Sequence, residues 1–116
     1  MLQTHSTGTT MTEAAPVFAA LGDTTRLGVI ARLCVEGPLS ITRLSEGGAI
    51  TRQALTKHLH VLADAGLVLD HRRGRERIWE LDPSRLELAT QCLTQISAQW
   101  DAAIGRLRSF VEDSGL

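Results

Sequence analysis

Little in this 116-residue chain serves an enzyme, a membrane protein or a secreted scaffold. No nucleophile–base constellation, phosphate-cradling glycine loop or pair of catalytic carboxylates stands out, so an enzymatic role has the least support. His71 lies among arginines and reads as part of a basic turn rather than as a general base. No apolar run approaches the length of a membrane span, and the amino terminus lacks a charged-then-apolar signal pattern. Cytoplasmic residence is the resulting expectation. Two cysteines, Cys34 and Cys92, make neither a disulfide framework nor a zinc spacing. Both are expected to be reduced and partly buried. A formal net charge of −1 argues against a protein that coats nucleic acid indiscriminately.

What is present is the composition of one soluble globular domain, 43% hydrophobic and 22% charged. Residues 1–13 are polar, rich in threonine and without a hydrophobic period, which predicts a disordered tail ahead of a domain over 14–116. Met11 opens the run that leads into the first helix and is an alternative start to Met1. The order of elements reads helix, helix, strand, helix, helix, strand, strand, helix, with no internal repeat. Ala14 to Leu21 predicts a short helix with Pro16 near its first turn. Asp23 or Thr24 caps a second, running to about Val35, with Leu27, Ile30, Leu33 and Cys34 on one stripe. Gly37-Pro38 ends it, Leu39-Ser40 leaves room for a minimal strand, and Ile41 to Glu46 reads as a short helix.

The middle of the chain is locally basic. Arg43, Arg52, Lys57, Arg72, Arg73, Arg75 and Arg77 lie there against Glu46, Asp64, Asp70 and Glu76. Thr51 caps a helix over Arg52 to Ala65, and Gly66 stands where a left-handed residue ends helices. Leu55, Leu59 and Leu62 share one side of it, while Arg52, Gln53, Thr56, Lys57, His60 and Asp64 share the other. Those polar side chains suit a DNA major groove. Gln53 matches an adenine edge, Arg52 and Lys57 reach guanine acceptors or phosphate, and the Thr56 methyl matches thymine. Thr51, at the helix amino terminus, suits a backbone phosphate. His58 projects nearer the leucine side; a core-edge histidine bonded to backbone and a phosphate contact are its two readings.

Leu67 to Arg72 and Glu76 to Leu81 have strand character around Arg73-Gly74, a hairpin turn signal. Arg72, Arg73, Arg75 and Arg77 crowd that turn, a density fit for phosphates or a narrow minor groove. The bland alternative is a charged edge that resists aggregation. Ile78 and Trp79 point to opposite faces, so one is expected to pack on the body and the other to be more exposed. Asp82-Pro83 opens a last helix reaching about Glu112, with Ser97 to Gln99 a place where it could break. Leu86, Ala89, Leu93, Ile96, Trp100, Ala103, Leu107 and Phe110 follow a three-then-four spacing, widened by Ile104 and Val111. So long a seam on so small a domain predicts pairing with a second copy. The expected fold is therefore mainly α with a small β-hairpin wing: a winged helix-turn-helix with a long terminal dimerisation helix.

From about Val17 to Glu112 the chain resembles the ArsR family of bacterial winged-helix repressors. The resemblance rests on FAALGDTTRLGVIARL, on TRQALTKHLHVLADAGLV and on GRERIWELDP, with a departure at Thr24, where the family commonly carries proline. It implies a homodimer that binds a double-stranded, inverted-repeat operator and represses transcription. Many members sense metals, through a cysteine pair on the first helix of the helix-turn-helix or through Asp, His and Glu on the last helix. Here Ile41 to Glu46 has no cysteine and no histidine follows His71. His58 and His60, two residues apart on a helix, diverge. The resemblance thus implies the non-metal branch, similar to autorepressors of the SdpR type, with no cofactor and no metal site. Two other readings stay open: a thiol or persulfide sensor using Cys34 and Cys92, and a winged-helix protein-interaction module that does not bind DNA.

Overall fold

Helices Thr24–Glu36, Ile41–Ser45 and Arg52–Asp64 begin where a side chain caps their free backbone groups. The computed structural model describes residues 7–113. Helix α1 spans Thr7–Leu21 and α2 spans Thr24–Glu36. The Asp23 carboxylate caps α2 by accepting from the Arg26 backbone N–H at 3.0 Å. Strand β1 is Leu39–Ser40, and Ser40 then caps α3, Ile41–Ser45. Thr51 caps α4, Arg52–Asp64, by accepting from Ala54 N–H. Strands β2, Val68–Arg73, and β3, Glu76–Leu81, form a two-residue hairpin in which Gly74 takes φ 65°. Helix α5 runs unbroken from Pro83 to Asp113, so the possible interruption at Ser97 to Gln99 does not occur.

The sheet is antiparallel in the order β1-β3-β2, with Leu39 opposite Trp79 on one side and Asp70 opposite Trp79 on the other. This central position overturns the expected split between Ile78 and Trp79, for both are buried. At Ile78 and Trp79 the strand β3 is flanked by β1 and β2 and packed against α2 and α3, so both side chains are shielded from solvent. Trp79 joins a core built from Val17, Ile30, Leu33, Leu55, Leu59, Leu62 and Leu67. The three leucines of α4 are at most 1% exposed, as their shared face requires.

Three other expectations need correction. The first helix starts at Thr7 rather than Ala14, so residues 7–13 are helical; residues 1–6 lie outside the described residues. Met11 extends backwards, at a spacing of three, the stripe continued by buried Ala14, Val17 and Ala20, and α1 packs along α5. Pro16 accordingly lies inside the helix, on its exposed side, and not in the first turn. On α2 the buried stripe is Val29, Ile30 and Leu33, while Leu27 and Cys34 face outward. The neighbouring α1 and α4 contact the face shared by Arg26, Ile30 and Leu33, which rotates Leu27 away.

Candidate nucleic-acid interface

The α3–α4 pair and the β2–β3 hairpin bring the basic side chains to the surface. In α4 the exposed residues are Arg52, Gln53, Lys57, His60, Val61 and Asp64, with Thr56 half-buried beside them. Thr51 is exposed, but its hydroxyl oxygen is already engaged in capping Ala54 N–H at 3.0 Å. Thr56 donates its hydroxyl to the Arg52 carbonyl at 2.9 Å, so the polar end of the side chain is committed to the helix itself. Arg52 reaches back to α3, where its Nη2 donates to Thr42 Oγ1 at 3.4 Å. His60 sits with its ring centroid 6.2 Å from that of Trp79, at the base of the hairpin. It therefore belongs to the helix–hairpin junction, whereas Gln53 and Lys57 stand clear of any other element's ion pairs among the described residues.

The hairpin leaves the body abruptly. Val68 and Trp79 are buried, while every residue from Leu69 to Arg77 is exposed. Arg72 and Arg77 are directly paired, as are Arg73 and Glu76. Arg77 turns its Nε towards Asp70 Oδ2 at 3.1 Å, a diagonal cross-strand ion pair. His71 stands 3.7 Å from Glu80. Among the described residues, no ion pair engages Arg72, Arg73 or Arg75. The four arginines of the turn are therefore not equivalent: three are free cations and one is braced.

Sequence reasoning left two connections unseen. His58 is half-buried and bonds a side chain, not backbone: its Nδ1 lies 3.2 Å from Arg26 Nη1. Thr42, beside Arg52, was not among the expected interface residues. Neither pairing has a periodic signature, because the partners lie 32 and 10 residues apart on different helices. The cysteines also separate: Cys92 is buried at 3% exposure on α5 and Cys34 is exposed on α2. Among the described residues, no three His, Cys, Asp or Glu side chains gather closely enough to hold a metal ion. None of their helices is long and apolar enough to cross a membrane.

A capped helix with a polar outer face, preceded by a short helix and followed by a basic hairpin, defines the winged helix-turn-helix class of DNA-binding regulators. The model of a helix-turn-helix domain matches residues 21–71, from the end of α1 into β2. The chain is 32% identical over 98 residues to the HTH-type transcriptional regulator Rv2034 of Mycobacterium tuberculosis, covering 84% of this chain and 88% of that one. It is also 32% identical over 65 residues to an arsenical resistance operon repressor of Bacillus subtilis, covering 56% of this chain and 62% of that one. An ArsR-like transcriptional regulator from Rhodococcus sp. RHA1 superposes with a TM-score of 0.73 at 33% identity, over 87% of this chain and 94% of that one. The chain belongs to the ArsR family of winged-helix transcriptional regulators and is a DNA-binding regulator, not an enzyme.

Proposed function

We propose that this regulator is a homodimeric repressor that occupies an inverted-repeat operator, reads bases with the outer face of α4 and grips phosphates with the hairpin. The observation that carries this reading is the pairing of exposed Gln53 and Lys57 on a capped helix with three arginines free of ion pairs on the adjoining hairpin. Base contacts supply discrimination and phosphate contacts supply affinity, so the two surfaces divide the work. Repression follows by occlusion, a dimer on the promoter excluding polymerase. Support for that role comes from the Bacillus relative, whose name is that of an operon repressor. Within the family the protein falls in the metal-independent, SdpR-like branch, acts in the cytoplasm and uses α1 to α5 together as its DNA-binding and dimerisation unit.

The thiol-sensing alternative gains no support from the burial of Cys92, since a thiol packed in apolar surroundings is inert. The test is fluorescence anisotropy with DNA from the protein's own promoter against scrambled DNA, over a range of salt. Gln53→Ala should reduce the preference for the operator by about 5- to 150-fold per half-site, the worth of one bidentate base contact. Arg75→Ala should weaken both DNAs alike and lower the log–log salt slope by about two, one phosphate contact being lost from each protomer of the dimer. Unchanged binding by both variants would overturn this reading in favour of a protein-interaction module.

A further inference from the structure

Arg26 stands where three helices meet. Its Nε–H donates to the Ala20 carbonyl in the last turn of α1 at 2.6 Å. Its backbone N–H donates to the Asp23 carboxylate that caps α2, and its Nη1 lies 3.2 Å from His58 Nδ1 on α4. A guanidinium only donates, so in this contact Nδ1 accepts and the ring proton sits on Nε2. Asp23 Oδ2 is 3.8 Å from the same nitrogen, beyond hydrogen-bonding range, and leaves that assignment in place.

We propose that Arg26 and His58 are positioning residues for DNA reading: their bond sets the rotation of α4 about its own axis. The proposal rests on the reading of α4 as the base-contacting helix. The other described anchors of α4 are the apolar packing of Leu55, Leu59, Leu62 and Ala63, which is non-directional, the His60–Trp79 ring contact, and the longer, exposed Arg52–Thr42 bond at its first residue. A hydrogen bond is directional, and this one leaves α4 at the residue next to Lys57. Helices with side chains are about 10–12 Å across, so a rotation of about 20° moves an outer side chain by about 2 Å. That displacement breaks a base-edge hydrogen bond, whose useful range is only about 0.5 Å wide. A flexible arginine on the hairpin tolerates it. Loss of the clasp therefore erodes discrimination before it erodes phosphate binding.

The experiment compares the full chain with His58→Leu, which removes the acceptor, and His58→Gln, which keeps one. For each, anisotropy gives the operator-to-scrambled preference and the salt slope, and thermal melting reports stability. His58→Leu should lose about tenfold of the preference with its salt slope unchanged, and His58→Gln should restore most of it. Imidazole ¹⁵N spectra of the wild type should show Nδ1 unprotonated and Nε2 protonated, a readout independent of how any variant folds. A melting temperature lowered without loss of preference, or a protonated Nδ1, would overturn the clasp while leaving α4 as the reading helix. A wild type with no preference for any promoter DNA would instead overturn the underlying reading, and the clasp with it.

Discussion

Asp82 shows how one carboxylate ties the hairpin to the long helix. Its backbone N–H donates to the Leu67 carbonyl at 2.9 Å, closing the base of the hairpin. One carboxylate oxygen accepts from the Ser84 backbone N–H at 3.1 Å and from the Ser84 hydroxyl at 2.9 Å, with Pro83 in the first helical position. Those bonds, the backbone one first, hold the Asp82 carboxyl below its ordinary value of 3.8. A carboxyl depressed on folding binds its proton more readily in the unfolded chain. Its contribution is thus full above 3.8 and lost as pH falls through the lower folded value. Asp82→Asn keeps a capping oxygen but removes the charge. In urea unfolding at successive pH values, the variant should be less stable than wild type near neutrality, and the two should converge below pH 3.8. A constant offset across that range would assign the effect to shape rather than charge. The cap was legible in the sequence because Asp-Pro before an apolar period is a local signal. The Asp70–Arg77 brace was not, since which arginine of the turn meets a carboxylate depends on strand register.

Among the elements, α4 was the most legible and α1 the least. Both ends of α4 are written in short-range chemistry: Thr51 caps the start, and Gly66 at φ 80° turns the chain out of the helix. Beyond it, Leu67 N–H donates to the Leu62 carbonyl at 3.0 Å and Gly66 N–H to that of Ala63 at 2.9 Å, satisfying the last turn. The same reversal drops Leu67 into the core, fully buried, at the point where β2 begins. Gly66→Ala should destabilise the fold by about 1–2 kcal/mol, the cost of a left-handed residue bearing a Cβ. A new Cβ would also lie 2.7 Å from Arg85 Cγ, near the root of that side chain, so Arg85 would have to change rotamer as well. Chemical denaturation measures the loss, and a variant as stable as wild type would show that α4 ends by some other means. Helix α1 carries no such punctuation. Threonine is a poor helix former, and residues 7–13 are helical in a segment that packs on α5, a partner more than sixty residues away.

The shape of the whole molecule is dominated by α5. A compact chain of this length has a radius of gyration of about 13 Å, yet the protein measures 19.4 Å, with extents of 68 × 41 × 21 Å. Only Ala89 and Cys92 of the helix are buried, and every residue from Ile96 to Asp113 is exposed. Trp100, Leu107 and Phe110 are 67%, 60% and 68% exposed. A helix in a protein draws most of its stability from packing its apolar face, and contiguous exposed apolar surface marks a contact site. The three-then-four spacing of Leu93, Ile96, Trp100, Leu107 and Phe110 is the pattern of a helix that meets a second helix. The outer part of the seam, from Leu93 on, was readable from sequence, but Leu86 and Ala89 at its start pack on the chain's own core. Trp100→Glu separates the proposed dimer from the fold, because Trp100 lies outside the core. By sedimentation, the wild type should run at twice 12.6 kDa and the variant at the protomer mass with unchanged helicity. The variant should bind promoter DNA with about half the salt slope of the wild type, because each protomer then engages a single half-site. A variant that stays dimeric would move the interface off α5, and a wild type that sediments as a monomer would remove the two-half-site operator from the proposed function.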